Sequence, residues 1–532
     1  MKNNQYFLGI DIGTYSSKGV LTNGEGEVIC RASVPHGMEN PRLNYYEHDA
    51  DAVWWHDFCV ISKSLIKSAN ISPTEIRAVG GSTLGSDCLP VDREGNPLRK
   101  AILYGIDARS DKEIRELTEY YGKEKVKELF GRPIVSGDVA AKILWIKHNE
   151  PEIYQKTYKF LTGSSFLTEK LTGEYVIDRF LGIASFRPFY REDGSIREEM
   201  CEPICRPDQL AEGRVVTDII GVVTAAAAAE TGLAEGTPVI TGTGDSTAEA
   251  ISIGVLAPDD MMVQFGSSLF YYCCTDHMVK DDRVRGNTFT IPGTYSVAGG
   301  TNNAGTLQKW YRDLYFPDLL EEERQGGRNA YAAMMDGMDS ISPGSEGLIT
   351  IPYFAGERTP VNDPDARGMV IGLTNKHTRT HLYRSCLESI AFSVAQHVQI
   401  FRDNGLNPQK IMAAGGGTKN LLWMQMVADI CGLPVHIARE TEGASYGDAL
   451  MAAIGCGYYK DFKSLKKVIK VSQVLTPDWE KHKAYQPYYH LFEELYRENC
   501  GNMHQLAALQ KINEGNKSSE AQQKSKIVTG TT

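Results

Sequence analysis

Near its start the chain carries a run of residues suited to phosphate chemistry. In Leu8-Gly-Ile-Asp-Ile-Gly-Thr-Tyr-Ser-Ser-Lys18 an apolar strand leads into Asp11, turns at Gly13, and continues through hydroxyls to Lys18. Holding a phosphate needs these parts: a carboxylate for a metal, backbone N–H groups that glycine leaves accessible, hydroxyl donors and a cation. The spacing is not that of a Walker A loop, since Gly-x4-Gly-Lys-Ser/Thr is absent here. A strand–turn–strand clasp describes it better. For Asp11 alone, an Asx-turn between hairpin strands is the simpler reading and stays open.

A second cluster, Thr241-Gly-Thr-Gly-Asp-Ser246, follows the apolar run Thr237–Thr241 and precedes a helical pattern over Thr247–Ile253. Asp245 is therefore placed at a strand end, on a backbone that can come close to a ligand. It is a candidate general base, taking a hydroxyl proton as the oxygen attacks phosphorus. A helix N-cap by Asp245 or Ser246, with Glu249 nearby, is the simpler reading and is compatible with the first.

Three further glycine-rich loops strengthen the case. Gly266-Ser267-Ser268 offers amides and hydroxyls to a phosphate, or forms a plain hairpin turn. Gly299 to Gly305 is rich in Gly, Thr and Asn and precedes a helix. Gly415-Gly416-Gly417-Thr418 follows a strand and leads to Asn420, an arrangement that lets a flat base or ribose lie against backbone. His381, His397 and His436 lack metal-ligand spacing.

The elements that must position these groups are legible in outline. The 532 residues exceed one hydrophobic core, so two or three domains are expected. The first strands are predicted at Tyr6–Ile10, Lys18–Leu21 and Glu27–Arg31, with an Asn23-Gly24 turn between the second and third. Apolar spacing predicts helices over Ala52–Ser68, Asp111–Phe130 and Ala140–His148, and a strand at Ile76–Gly80. After Leu256-Ala-Pro258 the pattern restarts: strand Met261–Phe265, loop Gly266–Ser268, strand Leu269–Cys273. That echo of the N-terminal meander predicts a second, similarly built domain. Later come a long helix over about Thr380–Asp403, a strand Lys410–Ala414, a helix Leu421–Cys431 and a small-residue helix Ser445–Ile454. The expected division is 1–256, 257–505 and a polar tail 506–532 without a core pattern, expected to be disordered.

Composition narrows the class. With 42% hydrophobic and 23% charged residues the chain reads as globular, and its net charge of −11 argues against nucleic acid as a partner. No apolar run approaches the roughly 20 residues of a membrane helix. The polar Met1-Lys-Asn-Asn-Gln-Tyr6 shows no signal-peptide pattern, and the 11 cysteines are scattered. These features predict a cytoplasmic protein with reduced cysteines. A homodimer is left open.

The motifs in order resemble the FGGY carbohydrate kinases: Asp11 to Lys18, Gly242-Thr-Gly-Asp245, Gly266–Ser268, Gly368 to Leu373 followed by His381 to Glu388, and Gly415–Gly417. Ala101 to Arg109 and Leu171-Thr-Gly-Glu-Tyr175 fit the same pattern, so the resemblance covers about residues 6–500. It implies an α/β fold of two ribonuclease-H-like domains, of the actin/Hsp70/hexokinase type, with the active site in the cleft between them. It implies ATP-dependent phosphorylation of a sugar or polyol, with Mg²⁺-ATP held between the domains and in-line transfer to a hydroxyl. By the same resemblance Asp245 is the catalytic base, and Asp11 with Asp245 holds Mg²⁺. Thr14, Ser16, Gly266, Ser267 and Gly305 contact phosphate; Gly416, Gly417 and Asn420 form the nucleoside pocket. Lys18 falls where the family often has a basic residue, and Tyr15 replaces a small Thr or Ser, leaving its backbone N–H to serve.

Substrate identity is less sharply written. Gly85, Ser86 and Asp87 lie where family members contact the sugar, with Asp245 and Ser246 facing them. Glycerol kinases typically carry Arg-Glu at the position of Gly85-Ser86, and xylulokinases Gln-Met-His-Gly, so this loop departs from both. Leu98–Arg109 and Lys142–Pro151 resemble xylulokinases most. A ketopentose such as D-xylulose leads, followed by another pentulose, a deoxy-sugar or a polyol such as a tetritol or glycerol. A non-catalytic nucleotide- or sugar-binding regulator on the same fold would keep the clasps but need no base. A Rossmann dehydrogenase is disfavoured, because no Gly-x-Gly-x-x-Gly follows the first strand.

Overall fold

Two seven-stranded sheets organise the chain in the computed structural model, which describes residues 5–440 and 442–529, with side chains to residue 513. The first sheet runs in the order Val28–Pro35, Ser16–Asn23, Tyr6–Ile12, Ile76–Thr83, Pro238–Ile240, Ile219–Val222, with the short Thr243–Gly244 pairing beside Ile76–Thr83. The second runs Arg285–Thr288, Tyr295–Gly300, Leu269–Thr275, Met261–Phe265, Ile411–Ala414, Val435–Ala438, Val471–Leu475. In each sheet the leading strand is antiparallel to the next and parallel to a later one, which is followed by one more parallel strand and an antiparallel edge. The restart after residue 258 is thus a repeat of the whole sheet plan, of which the sequence displayed only the opening hairpin.

Residue pattern explains which strands are central. Tyr6–Ile12 is apolar almost throughout and buried on both faces, as a strand covered by helices on each side must be. Val28–Pro35 alternates between half-buried and exposed positions, as an edge strand with one solvated face does. In the second half Arg379–Asp403 is nearly all buried, and its Leu387, Ile390, Val394 and Phe401 anchor the core there.

One helix crosses from the second half to the first. Ala444–Gly455 lies on the strands Tyr6–Ile12 and Ile76–Thr83 and against the helix Asp245–Ser252. Only missing side chains allow this approach: a Cβ on Gly9 would come within 2.0 Å of Ser445 O, and one on Gly447 within 1.9 Å of Ala248 O. The small residues expected to pack closely here do so, and they join the two halves.

Several boundaries differ from expectation. The helix expected over 111–130 is two, Asp111–Tyr121 and Lys123–Phe130, because Gly122 adopts φ +74° and ends the first. Ala52–Ser68 is a turn of π-helix, Ala50–Trp55, continued by His56–Ala69, with Trp54 and Trp55 buried in the first core. The tail expected to be disordered from 506 is continued as helix Trp479–Thr529. Its first part docks: Ala507 is buried, Gln510 accepts from Arg367 Nε at 2.7 Å, and Lys511 pairs with Asp365 at 2.6 Å. These partners lie far away in sequence, so local pattern did not show them. Among the described residues, no helix is long and apolar enough to cross a membrane.

Candidate active site

The glycine loops collect at the carboxyl ends of the central strands of both sheets, where open α/β sheets place ligands. Asp11 lies inside the first strand, not after it, and pairs across the hairpin with Lys18. The Ser82 hydroxyl, on the neighbouring strand, is 3.0 Å from Asp11 Oδ1. Burial pushes the Asp11 carboxyl up to about 8; Asp245 and Glu249 add to the rise, while Ser82 and Lys18 oppose it. In the turn, the Gly13 N–H donates to Ser16 O at 3.1 Å, and Thr14 Oγ1 is 3.3 Å from Tyr104 OH. Tyr15 and Lys18 are exposed, and Thr14 and Ser16 half-buried. Ser17 turns away, donating to buried Asp57 Oδ2 at 2.7 Å, so it leaves the cluster of hydroxyls expected at this turn.

Asp245 is the first residue of the helix Asp245–Ser252, whose N-cap is Gly244 without a side-chain bond. The capping reading of Asp245 therefore does not describe it. Its Oδ1 accepts instead from Ser246 N at 2.6 Å, and burial raises its pKa to about 6 against that bond. Glu249, one turn later, is raised to about 7, by burial first and Asp245 second. Asp11, Asp245 and Glu249 thus crowd one region in which Lys18 is the cation that acts on two of them. Such a region attracts a divalent cation. Among the described residues no set of three or more His, Cys, Asp or Glu is arranged to hold a metal alone. Magnesium does not require one, because it keeps waters and takes phosphate oxygens beside one or two carboxylates.

At the second sheet, the Gly266 loop is held by backbone bonds, some from residues 304–306. Gly266 N donates to Ser268 O at 3.1 Å, and Ala304 N and Thr306 N donate to Ser267 O at 3.1 and 3.0 Å. Gly305 N donates to Gly266 O at 3.0 Å, and a Cβ there would come within 2.7 Å of that oxygen. Gly266, Ser267 and Gly305 are therefore brought together, with the Gly305 amide already used. At the third loop a Cβ on Gly416 would meet nothing within 4 Å, whereas one on Gly417 would strike Trp423 and Phe265. Asn420 caps the helix Leu421–Cys431, its Oδ1 accepting from Trp423 N at 3.0 Å. Open space thus faces Gly416, and its two companions shape the wall.

The loop Gly85–Asp87 leaves the strand Ile76–Thr83 beside Asp245: a Cβ on Gly85 would lie 3.3 Å from Leu181 and 4.0 Å from Gly244 Cα. Ser86 Oγ is 2.9 Å from Ser185 Oγ, which donates to Gly85 O at 2.7 Å. Asp87 is wholly buried, and neither carboxylate oxygen has a well-formed partner. Burial raises it well above the usual carboxylate range and Asp245 adds to this, while Lys142 and the Tyr104 N–H oppose it. The Lys142 ammonium is buried too, and donates to Ser86 O and Leu103 O at 2.6 Å each. The site therefore holds a buried carboxyl group without a well-formed side-chain partner and a cation already engaged.

Sequence reasoning missed Ser82, Lys142, Gln264 and Asp448. Asp448, fully buried on the crossing helix, has Oδ2 2.7 Å from Ser82 Oγ, and its Oδ1 is unpartnered. A lone acid among Ala, Gly and Leu in Ala444–Gly455 was the available signal.

Comparison with known proteins matches this geometry to a family. Residues 6–252 match the N-terminal domain of the FGGY family of carbohydrate kinases and 261–456 its C-terminal domain. A Staphylococcus epidermidis protein named xylulose kinase is 29% identical over 497 residues, covering 92% of this chain and 96% of that one. A Bacillus licheniformis protein named gluconokinase is 26% identical over 509 residues, covering 95% and 98%. The crystal structure of a xylulose kinase from Rhodospirillum rubrum superposes with a TM-score of 0.85 at 27% identity, covering 94% of this chain and all of that one.

Proposed function

Because the chain belongs to the FGGY family of carbohydrate kinases, with its two-domain actin/hexokinase-type fold, we propose that it moves the γ-phosphoryl group of ATP onto a hydroxyl of a ketopentose, D-xylulose first, with Asp245 as general base. One observation carries this reading. Asp245, a half-buried carboxylate raised to about 6, adjoins the loop Gly85–Asp87. A sugar seated against the half-buried Gly85 and Ser86 places a hydroxyl for Asp245 to deprotonate. Names of relatives support D-xylulose as the first sugar to try.

In this reading Gly85, Ser86, Asp87 and Ser246 orient the sugar. Thr14, Ser16, Lys18 and the Tyr15 N–H flank the phosphates on one side, and Gly266 and Ser267 on the other, with Gly305 closing that loop. Gly416, Gly417 and Asn420 border the nucleoside. Asp11 and Asp245 would hold Mg²⁺, which when bound neutralises phosphate charge. Transfer then rests on alignment and charge neutralisation more than on covalent help. Exclusion of water by closure around the substrates limits hydrolysis. The two domains divide at 256–257 in this reading, with one seven-stranded sheet on each side. The cysteines are all free thiols, which suits the reducing cytoplasm.

Gluconate is a second reading, favoured by the relative named gluconokinase. Against it, the buried Lys142 ammonium beside this loop is already engaged with two backbone carbonyls. ADP release measured over D-xylulose, other pentuloses, deoxy-sugars, tetritols, glycerol and gluconate tests the proposal. Turnover of D-xylulose or another pentulose sustains it. Gluconate as the best substrate, or no turnover at all, contradicts it.

A further inference from the structure

A side-chain contact ties the helix that begins with Asp245 to the strand that ends at the Gly266 loop. Gln264 Nε2 donates to both carboxylate oxygens of Glu249, at 2.8 and 2.7 Å. Glu249 follows Asp245 by one helical turn, so both side chains leave the same face of Asp245–Ser252. Gln264 is half-buried between the buried Val263 and Phe265, and Phe265 leads directly into Gly266. The contact therefore joins the helix of the residue read as the base to the strand of the loop read as a phosphate clasp.

We infer that Glu249 and Gln264 are a positioning pair that sets the separation between Asp245 and the Gly266–Ser268 loop. The inference rests on the roles given to those two elements above. In-line transfer needs the base, the attacking hydroxyl and the phosphoryl group in one alignment, and a displacement of about 1 Å can cost about 100-fold in rate. Backbone continuity through residues 253–260 joins helix to strand but does not by itself fix the angle between them. A carboxylate gripping one amide through both oxygens adds a directional tie to the apolar packing of Ala248 and Ile251 with Met262, and a charge-assisted bond is stronger than a neutral one. Neither residue need touch substrate for this.

An exchange of the two side chains tests the pair. Gln264→Glu sets two carboxylates against each other, and kcat is expected to fall on the order of tenfold or more, with KM for ATP and sugar within about twofold. Glu249→Gln in that background restores an amide–carboxylate bond in the opposite sense, and kcat is expected to return to within about threefold of wild type. Gln264→Met, similar in size but without a donor, should lower kcat while the thermal midpoint holds, which covers poor folding of Gln264→Glu. Crystal structures of the single and double variants give a readout independent of activity: the Asp245–Ser267 separation should change in Gln264→Glu and return in the double variant. Unchanged kcat and separation in Gln264→Glu, or no recovery in a folded double variant, would overturn the inference. Failure of the kinase reading would appear instead in the wild type, as no ADP release with any sugar, and the crystallographic separation would still decide the positioning claim.

Discussion

The Ser82 hydroxyl lies 2.7 Å from Oδ2 of Asp448, a residue 366 positions later in the chain. On its other side is Asp11 Oδ1 at 3.0 Å. A hydroxyl has one hydrogen to donate, so one of the two carboxyl groups must meet it as an acid. Asp448 is the better candidate: burial, Asp11 and Asp245 all raise its pKa, and only bonds with Ser82 oppose them. Asp11 has Lys18 beside it as well.

Asp448→Asn should therefore stabilise the protein, since the amide can donate to Ser82 without the cost of a buried acid. The pH dependence follows. Asp448 has a folded-state pKa above its unfolded value near 3.8. The unfolded chain releases that proton first, so stability falls as pH rises from about 4 towards the folded pKa. Thermal melts at pH 6 and 8 should show a smaller drop for the variant than for wild type; equal drops would contradict the assignment.

Asp245 must be ionised to take a proton. With its pKa raised to about 6, kcat/KM should climb as pH rises through about 6 and level off above it. A profile that is flat between pH 5 and 7 would argue against this base.

Asp87→Asn should lower kcat/KM for the sugar by about 10- to 100-fold, the scale of a lost charge-assisted hydrogen bond. Steady-state kinetics should place the loss with the sugar and leave KM for ATP within about twofold. An unchanged kcat/KM would remove Asp87 from the sugar site.

Gly416 faces open space, so Gly416→Leu should fold normally. If the nucleoside occupies that space, KM for ATP should rise on the order of tenfold, the scale of overpacking. A raised KM for the sugar alone would place the nucleoside elsewhere.

How far the site could be read from the sequence depended on distance along the chain. The strand-end loops were legible because each is local: an apolar run, then glycine beside Asp11, Asp245, Gly266 or Gly415. Their convergence followed from the repeated sheet plan, of which Met261–Phe265 and Leu269–Thr275 gave the opening. What stayed hidden was contact made at long range. Ser82 reads as one hydroxyl in a Gly/Ser strand until Asp448 arrives on the crossing helix. Lys142 is one position in a predicted helix until the fold buries it against Ser86 O and Leu103 O. Ser17 belonged to the right turn, but period-two alternation pointed it to Asp57.

The most direct test of the central claim is coupled ADP release with D-xylulose and Mg²⁺-ATP for the wild type and Asp245→Asn. The account predicts turnover by the wild type and a loss of about 10²- to 10⁴-fold in kcat for the variant, with its fold intact. Comparable turnover by the two proteins would contradict it.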